Sequence, residues 1–156
     1  METVYLETSF ISYLVSRPSR DLLVAAHQQT TDEWWNTRHN EFECFISQVV
    51  IDEASAGNSS EAAKRMDIIK DLPVLEFTDE AESLALTILS SGKFPHHANR
   101  DAAHIAIAAA NSIDYLLTWN CKHLANAQII RKISVVCNNE GFNMPVICTP
   151  EELMGG

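Results

Sequence analysis

The chain is short of positive charge. Its 156 residues carry 11 Lys and Arg against 21 Asp and Glu, a formal net charge of −10 at pH 7. Sequence-independent affinity for nucleic acid comes from Lys and Arg displacing condensed counterions, so this balance excludes a uniform electrostatic grip on a polyanion. Any nucleic-acid groove must be locally basic, or a basic partner must cover part of the acidic surface. The chain also lacks an apolar run long enough to span a bilayer, and Met1-Glu2-Thr3-Val4-Tyr5-Leu6-Glu7 has neither a basic n-region nor a long apolar h-region. No membrane association and a cytoplasmic location are expected. There is no Cys-x-x-Cys pair: Cys44, Cys121, Cys137 and Cys148 lie far apart. That argues against a zinc knuckle or a redox motif and predicts reduced, mostly buried thiols. No internal repeat, low-complexity tract or linker interrupts residues 1–156. They are expected to form one domain, able to bury roughly 70% of the surface its unfolded chain exposes.

What is present is an alternation of short β-compatible runs with helical segments. Thr3–Leu6 reads as a strand, and Glu7-Thr8-Ser9 puts a carboxylate and two hydroxyls at its end. Residues 10–16 are expected to form a helix capped by Thr8 or Ser9, 17–20 a turn, and 21–38 a second helix. Trp34 and Trp35 sit late in that helix, and because neighbours point about 100° apart, at most one is central to the core. Residues 44–47 form a second strand, Gln48–Ala54 a helix capped by Ser47, and 60–70 another after the break at Gly57. Residues 73–77 are a third strand; Thr78 then caps a helix that Gly92 ends. Residues 122–131 are expected to be helical, 138–141 a turn, Val146–Cys148 a last strand, and Pro150 the opening of a terminal helical turn. The fold class is therefore α/β, with a mostly parallel sheet covered on both faces.

Residues 99–120 are the most informative stretch. From 102 to 110 every residue except His104 is apolar and most are small, so as a helix this segment can pack closely against a sheet. Asp101 lies in its first turn. Tyr115-Leu116-Leu117-Thr118-Trp119 is a fourth strand, stopped by Asn120. Ligands of open α/β sheets bind outside the carboxyl ends of the strands. Glu7, Glu53, Asp101 and Asn120 all occupy element ends that should converge there. Carboxylates gathered without basic partners repel one another, and a folded protein keeps such a cluster mainly when a cation offsets it. Oxygen ligands suit a hard ion, Mg²⁺ or Mn²⁺.

Four motifs in order, Tyr5-Leu6-Glu7-Thr8-Ser9, the Glu53 helix, Arg100-Asp101-Ala102-Ala103-His104-Ile105-Ala106 and Leu116-Leu117-Thr118-Trp119-Asn120, resemble the PIN-domain family. The resemblance spans almost the entire chain and is greatest to the branch containing the VapC-type toxins of toxin–antitoxin pairs. It implies a three-layer α/β/α domain with a central parallel sheet of about five strands, and a Mg²⁺- or Mn²⁺-dependent ribonuclease site at the strands' carboxyl ends. It also implies a homodimer and a small antitoxin laid across the site. The family's four acids fall on Glu7, Glu53, Asp101 and Asn120, and its supporting hydroxyls on Thr8 or Ser9 and on Thr118. Glu7 stands where the family has Asp, one methylene longer. Asn120 stands in place of an acid, so the quartet holds one charge fewer and should bind metal more weakly.

On this reading Glu7, Glu53 and Asp101 hold the ion, Asn120 completes the catalytic set, and Thr8, Ser9 and Thr118 orient the carboxylates. Arg17, Arg20, Lys93, Arg100 and Lys122 flank the acidic residues in sequence. They are expected to contact RNA phosphates, with neutralisation of neighbouring acids as the alternative for Arg100 and Lys122. His104 is expected to be a hydrogen-bonded core histidine, His96 and His97 loop residues, and the Trp34–Trp35 pair core and dimer contacts. Two functions follow: a metal-dependent endoribonuclease acting as the toxin of a pair, or a catalytically weak or inactive PIN-like module that binds RNA or protein.

Overall fold

Five short strands lie side by side in the structure, a computed structural model that describes residues 1–155. They are β1 (Thr3–Leu6), β2 (Glu43–Ser47), β3 (Val74–Leu75), β4 (Tyr115–Leu117) and β5 (Val146–Cys148). All neighbours are parallel, in the order β3-β2-β1-β4-β5. Val4, Tyr5 and Leu6 of the central strand are fully buried, as a parallel strand covered on both faces requires. The chain winds outward from β1 to β3, then returns to place β4 on the other side of β1. The end of β1 is thus the switch point where open α/β sheets form a crevice.

Seven helices make the crossovers. Helices α1 (Thr8–Val15) and α2 (Leu22–Thr37) join β1 to β2; α3 (Gln48–Ala54) and α4 (Ser59–Ile69) join β2 to β3. Helices α5 (Asp79–Ser90) and α6 (Asn99–Ala110) join β3 to β4, and α7 (Ala127–Asn139) joins β4 to β5. Helix α1 packs with α2, α3 and α4, and α5 packs with α6 and α7, giving the expected three-layer α/β/α arrangement. In α6 every residue from Ala102 to Ala109 is buried. Its small side chains let it pack on several sides at once. Trp34 is fully buried, edge-on to Phe10 with ring centroids 5.5 Å apart, and its indole N–H donates to the Leu153 carbonyl at 3.1 Å. Trp35 is only partly buried against the core.

Several element boundaries differ from the sequence reading, among them β4, which ends at Leu117 rather than at Trp119. Helix α1 begins at Thr8, capped by Glu7 rather than by Thr8 or Ser9, because the Glu7 carboxylate accepts the Ser9 N–H at 3.1 Å. Strand β3 has two residues rather than the five of 73–77; Pro73 contributes only its carbonyl, to the Ile46 N–H at 3.0 Å. The helix placed at 122–131 starts at Ala127 and runs to Asn139. Asn126 caps it by accepting from Gln128 and Ile129, while the Leu124 and Ala125 N–H groups turn back to the Asn120 carbonyl. Among the described residues Cys44, Cys137 and Cys148 are buried, Cys121 is exposed, and no disulfide forms. Nor, among those residues, is any helix long and apolar enough to cross a membrane.

Candidate functional site

Glu7 leaves the carboxyl end of β1 while its N–H still pairs with the Leu117 carbonyl of β4, at 3.1 Å. That anchors its backbone at the switch point with only 4% of the residue exposed. A carboxylate so buried needs donors. The Ser9 and Thr118 hydroxyls each donate to Oε1 at 2.5 Å, and the Ser9 N–H to Oε2. Ser9 Oγ in turn accepts the Trp119 N–H at 2.9 Å, and Thr118 Oγ1 the Asn120 N–H at 2.9 Å. The end of β4 and the start of α1 are thereby tied to the same carboxylate.

Glu53, on α3, meets Glu7 from the β2 side. Its Oε1 accepts the Thr8 hydroxyl at 2.8 Å and lies 2.7 Å from His104 Nε2. His104 is fully buried, and its Nε2 lies 3.9 Å from Glu7 Oε2. Its other ring nitrogen lies 2.5 Å from the Tyr5 hydroxyl, which is 2.7 Å from Ser47 Oγ. Burial works against a charged imidazole here, but the hydrogen bond to Glu53 and the charges of Glu7, Glu53 and Asp101 outweigh it and raise the His104 pKa. Burial likewise opposes the Glu53 carboxylate, and His104, Thr8 and Arg100 outweigh it and hold Glu53 below the usual range. With His104 protonated every group is satisfied: Nε2–H donates to Glu53, Nδ1–H to Tyr5, and the Tyr5 O–H to Ser47. Burial, first among several causes, holds the Tyr5 hydroxyl well above its ordinary pKa, so it keeps its proton.

Asp101 and Asn120 form an adjoining pair. The Asn120 amide lies 3.3 Å from Asp101 Oδ1, and His123 Nδ1 2.9 Å from Asp101 Oδ2. Asn120 Oδ1 accepts the His123 N–H at 3.0 Å. Asp101 stands one turn before His104 on α6. Among the described residues the group close enough to share an ion is Glu7, Glu53 and His104, whose donor atoms lie within 4.8 Å of one another. Asp101 is outside that group, held by Asn120 and His123 instead. Both ring nitrogens of His104 are already engaged, so its geometry suits holding Glu53 more than ligating.

Of the basic residues, Arg100 lies close enough to stabilise the Glu53 charge. Arg17, Arg20, Lys93 and Lys122 form no side-chain ion pair or hydrogen bond among the described residues. Sequence reasoning missed two contributors, Tyr5 and Ser47, and saw His123 only as a basic residue flanking the acidic ones, not as the partner of Asp101. Tyr5 and Ser47 have ordinary explanations as strand core and helix cap, and only the fold aims their hydroxyls at one histidine. His123 had a signal, its place three residues after Asn120 on a segment that turns back.

No family model matches the sequence, and no curated protein matches it. Solved structures do. A chain of VapBC2 from Rickettsia felis, crystallised bound to a DNA fragment from its promoter, superimposes with a TM-score of 0.62 at 15% identity, covering 94% of this chain and 98% of that one. The chain has a VapC-like PIN fold. Mycobacterium tuberculosis VapC20, a sarcin–ricin loop cleaving toxin, gives a TM-score of 0.62 at 16% identity, with 77% of this chain and 92% of that one covered. In the PIN fold of this chain, Glu7 and Glu53 face each other across the switch point and Asp101 with Asn120 closes the β4 side.

Proposed function

We propose that this PIN-fold chain is a metal-dependent endoribonuclease and the toxin of a toxin–antitoxin pair. The observation that carries the reading is the meeting of Glu7 and Glu53 at the strand switch point with, among the described residues, a histidine as their only direct ion-pair partner. Oxygen donors of this kind suit Mg²⁺ or Mn²⁺. Glu7 and Glu53 would hold the ion, with Asp101 beside them. Such an ion, when bound, generates a nucleophile near neutral pH and offsets charge on the phosphate. The chain's own residues do the rest. Thr8, Ser9 and Thr118 fix the carboxylate orientations, His104 holds Glu53, and Asn120 with His123 aims Asp101. Arg17, Arg20, Lys93, Arg100 and Lys122 supply the phosphate contacts that the acidic total denies the rest of the surface.

The partners belong to the same proposal. A small antitoxin segment would cover the acidic crevice, and the chain would act in the cytoplasm as a homodimer. VapBC2 and VapC20 support this reading by fold.

The test is cleavage of RNA by the purified chain with Mg²⁺ or Mn²⁺, beside Asp101→Ala. Cleavage that requires the metal and disappears in the variant is expected; retained Mn²⁺-dependent activity in Asp101→Ala removes that residue from the site. One observation favours a second reading, a binding module without catalysis: Asn120 contributes an amide where a fourth acid would add charge. Absence of cleavage with either metal, together with retained RNA binding, would establish it.

A further inference from the structure

A cavity of about 220 Å³, lined by both apolar and polar side chains, lies at the corner between α1 and α2. Tyr13 forms one wall, Gln28, Gln29 and Asp32 the other, and Pro18 the rim. Residues three and four apart on a helix share a face, so the three α2 side chains point together. Gln28 is already committed. Its amide donates to Ser16 Oγ and the Arg17 carbonyl, and accepts from the Ser19 N–H, all at 2.9 Å. It pins the turn that shapes the rim. The side chains of Gln29, Asp32 and Tyr13 form no hydrogen bond or ion pair among the described residues, and neither do those of Arg17 and Arg20 on the adjoining turn.

The cavity is one layer of side chains from the acidic cluster. The Tyr13 ring lies 5.9 Å from that of Trp119, on which His27 stacks at 4.1 Å. The Trp119 backbone N–H bonds Ser9 Oγ, which donates to Glu7. Ser9 and Tyr13 are four residues apart on α1, about 6 Å along its axis. A strand whose phosphate sits at the acidic cluster can therefore bring a neighbouring base to Tyr13.

The volume is below the roughly 300–1,000 Å³ of pockets for drug-sized ligands and suits one planar heterocycle. Single-stranded RNA is recognised by stacking unpaired bases on aromatic rings and bonding their Watson–Crick edges. A carboxylate is an acceptor only. Of the four bases, guanine alone offers it two adjacent donors, N1–H and the 2-amino group. Adenine and cytosine set a ring acceptor beside their amino group, and uracil flanks one N–H with two carbonyls; both arrangements repel a carboxylate. The Gln29 amide can donate to guanine O6, and Arg17 and Arg20 offset the charge of Asp32 against the phosphates. Building on the ribonuclease reading, we propose that this cavity is a guanine subsite selecting the base beside the cleaved linkage.

The experiment has two arms. In EDTA, with no cleavage possible, guanosine, inosine, adenosine, cytidine and uridine 5′-monophosphates are titrated against the whole chain, read by the NMR shifts of Tyr13 and Trp119. GMP is expected to bind at least about tenfold tighter than AMP, CMP and UMP, with IMP, which lacks the 2-amino group, between them. Asp32→Asn, an exposed position with no partner to lose, should erase the preference. Equal binding of all five, no binding, or an undiminished GMP preference in Asp32→Asn overturns the subsite. The second arm maps cleavage positions on a mixed-sequence RNA with Mn²⁺. GMP preference without any cleavage supports the subsite while removing the ribonuclease reading; cleavage indifferent to neighbouring guanines retains that reading and overturns the subsite.

Discussion

At the scale of single residues, the Glu53–His104 contact is the one whose two partners shift in mutually supporting directions. His104 has its pKa raised from 6.5, so its contribution to stability is fully present below that pH and is lost as pH rises through the folded value. Glu53 has its pKa lowered from 4.5, so its contribution is present above that pH and is lost as pH falls through the folded value. Urea midpoints of the metal-free chain should therefore peak between pH 4.5 and 6.5, with Glu53→Gln flattening both flanks. A wild-type profile with no such maximum would show that the pair does not form. Tyr5 carries a related expectation. Its hydroxyl bridges His104 and Ser47 inside the core, and Tyr5→Phe leaves both short of a partner. The expected cost is about 1–3 kcal/mol in urea unfolding, against a few tenths if the contacts are incidental. Little of this was legible in the sequence. Glu7, Glu53 and Asp101 stand out because acids at strand and helix ends are unusual in combination. Tyr5 and Ser47 do not, because nothing in a linear pattern tells a core tyrosine with a bonded hydroxyl from one without.

At the scale of elements, α6 is the segment the sequence describes best and tolerates least change in. A run of small apolar residues predicts a helix pressed on several sides, and Ala106 is fully buried. Ala106→Leu should destabilise the chain by about 1–3 kcal/mol through overpacking, with an unchanged denaturant slope. A neutral effect would mean that α6 faces a void. The segment after Asn120 was read less well. Its composition is compatible with a helix from 122, yet the Asn120 carbonyl captures the N–H groups of Leu124 and Ala125 and delays the helix to Ala127. Asn126→Ala should then cost about 1 kcal/mol as a lost cap. If the helix began at 122, the same change would be close to neutral or stabilising.

At the scale of the whole molecule, burial decides which reactive groups are available. Burial pushes the Cys44 and Cys148 thiols up to about 12, first among two causes for Cys148, and Cys137 up to about 11. Thiols of this kind react slowly, since the thiolate is the nucleophile. Titration with a disulfide reagent should modify only Cys121 in the native chain and the other three on unfolding. Early reaction of a buried thiol would show that its shell opens. The architecture itself was legible because alternating strands and helices leave few ways to build a parallel sheet, and winding outward then back puts its switch point at Glu7. On the proposed function, Glu7 and Glu53, with Asp101 beside them, hold a divalent ion there. The most direct test is Mn²⁺ binding by the purified chain, followed by the loss of the free-ion electron paramagnetic resonance signal, in the wild type and in Glu7→Gln. Saturable binding weakened at least about tenfold in the variant, some 1.4 kcal/mol, is predicted; equal affinity in the two proteins, or none in the wild type, would contradict it.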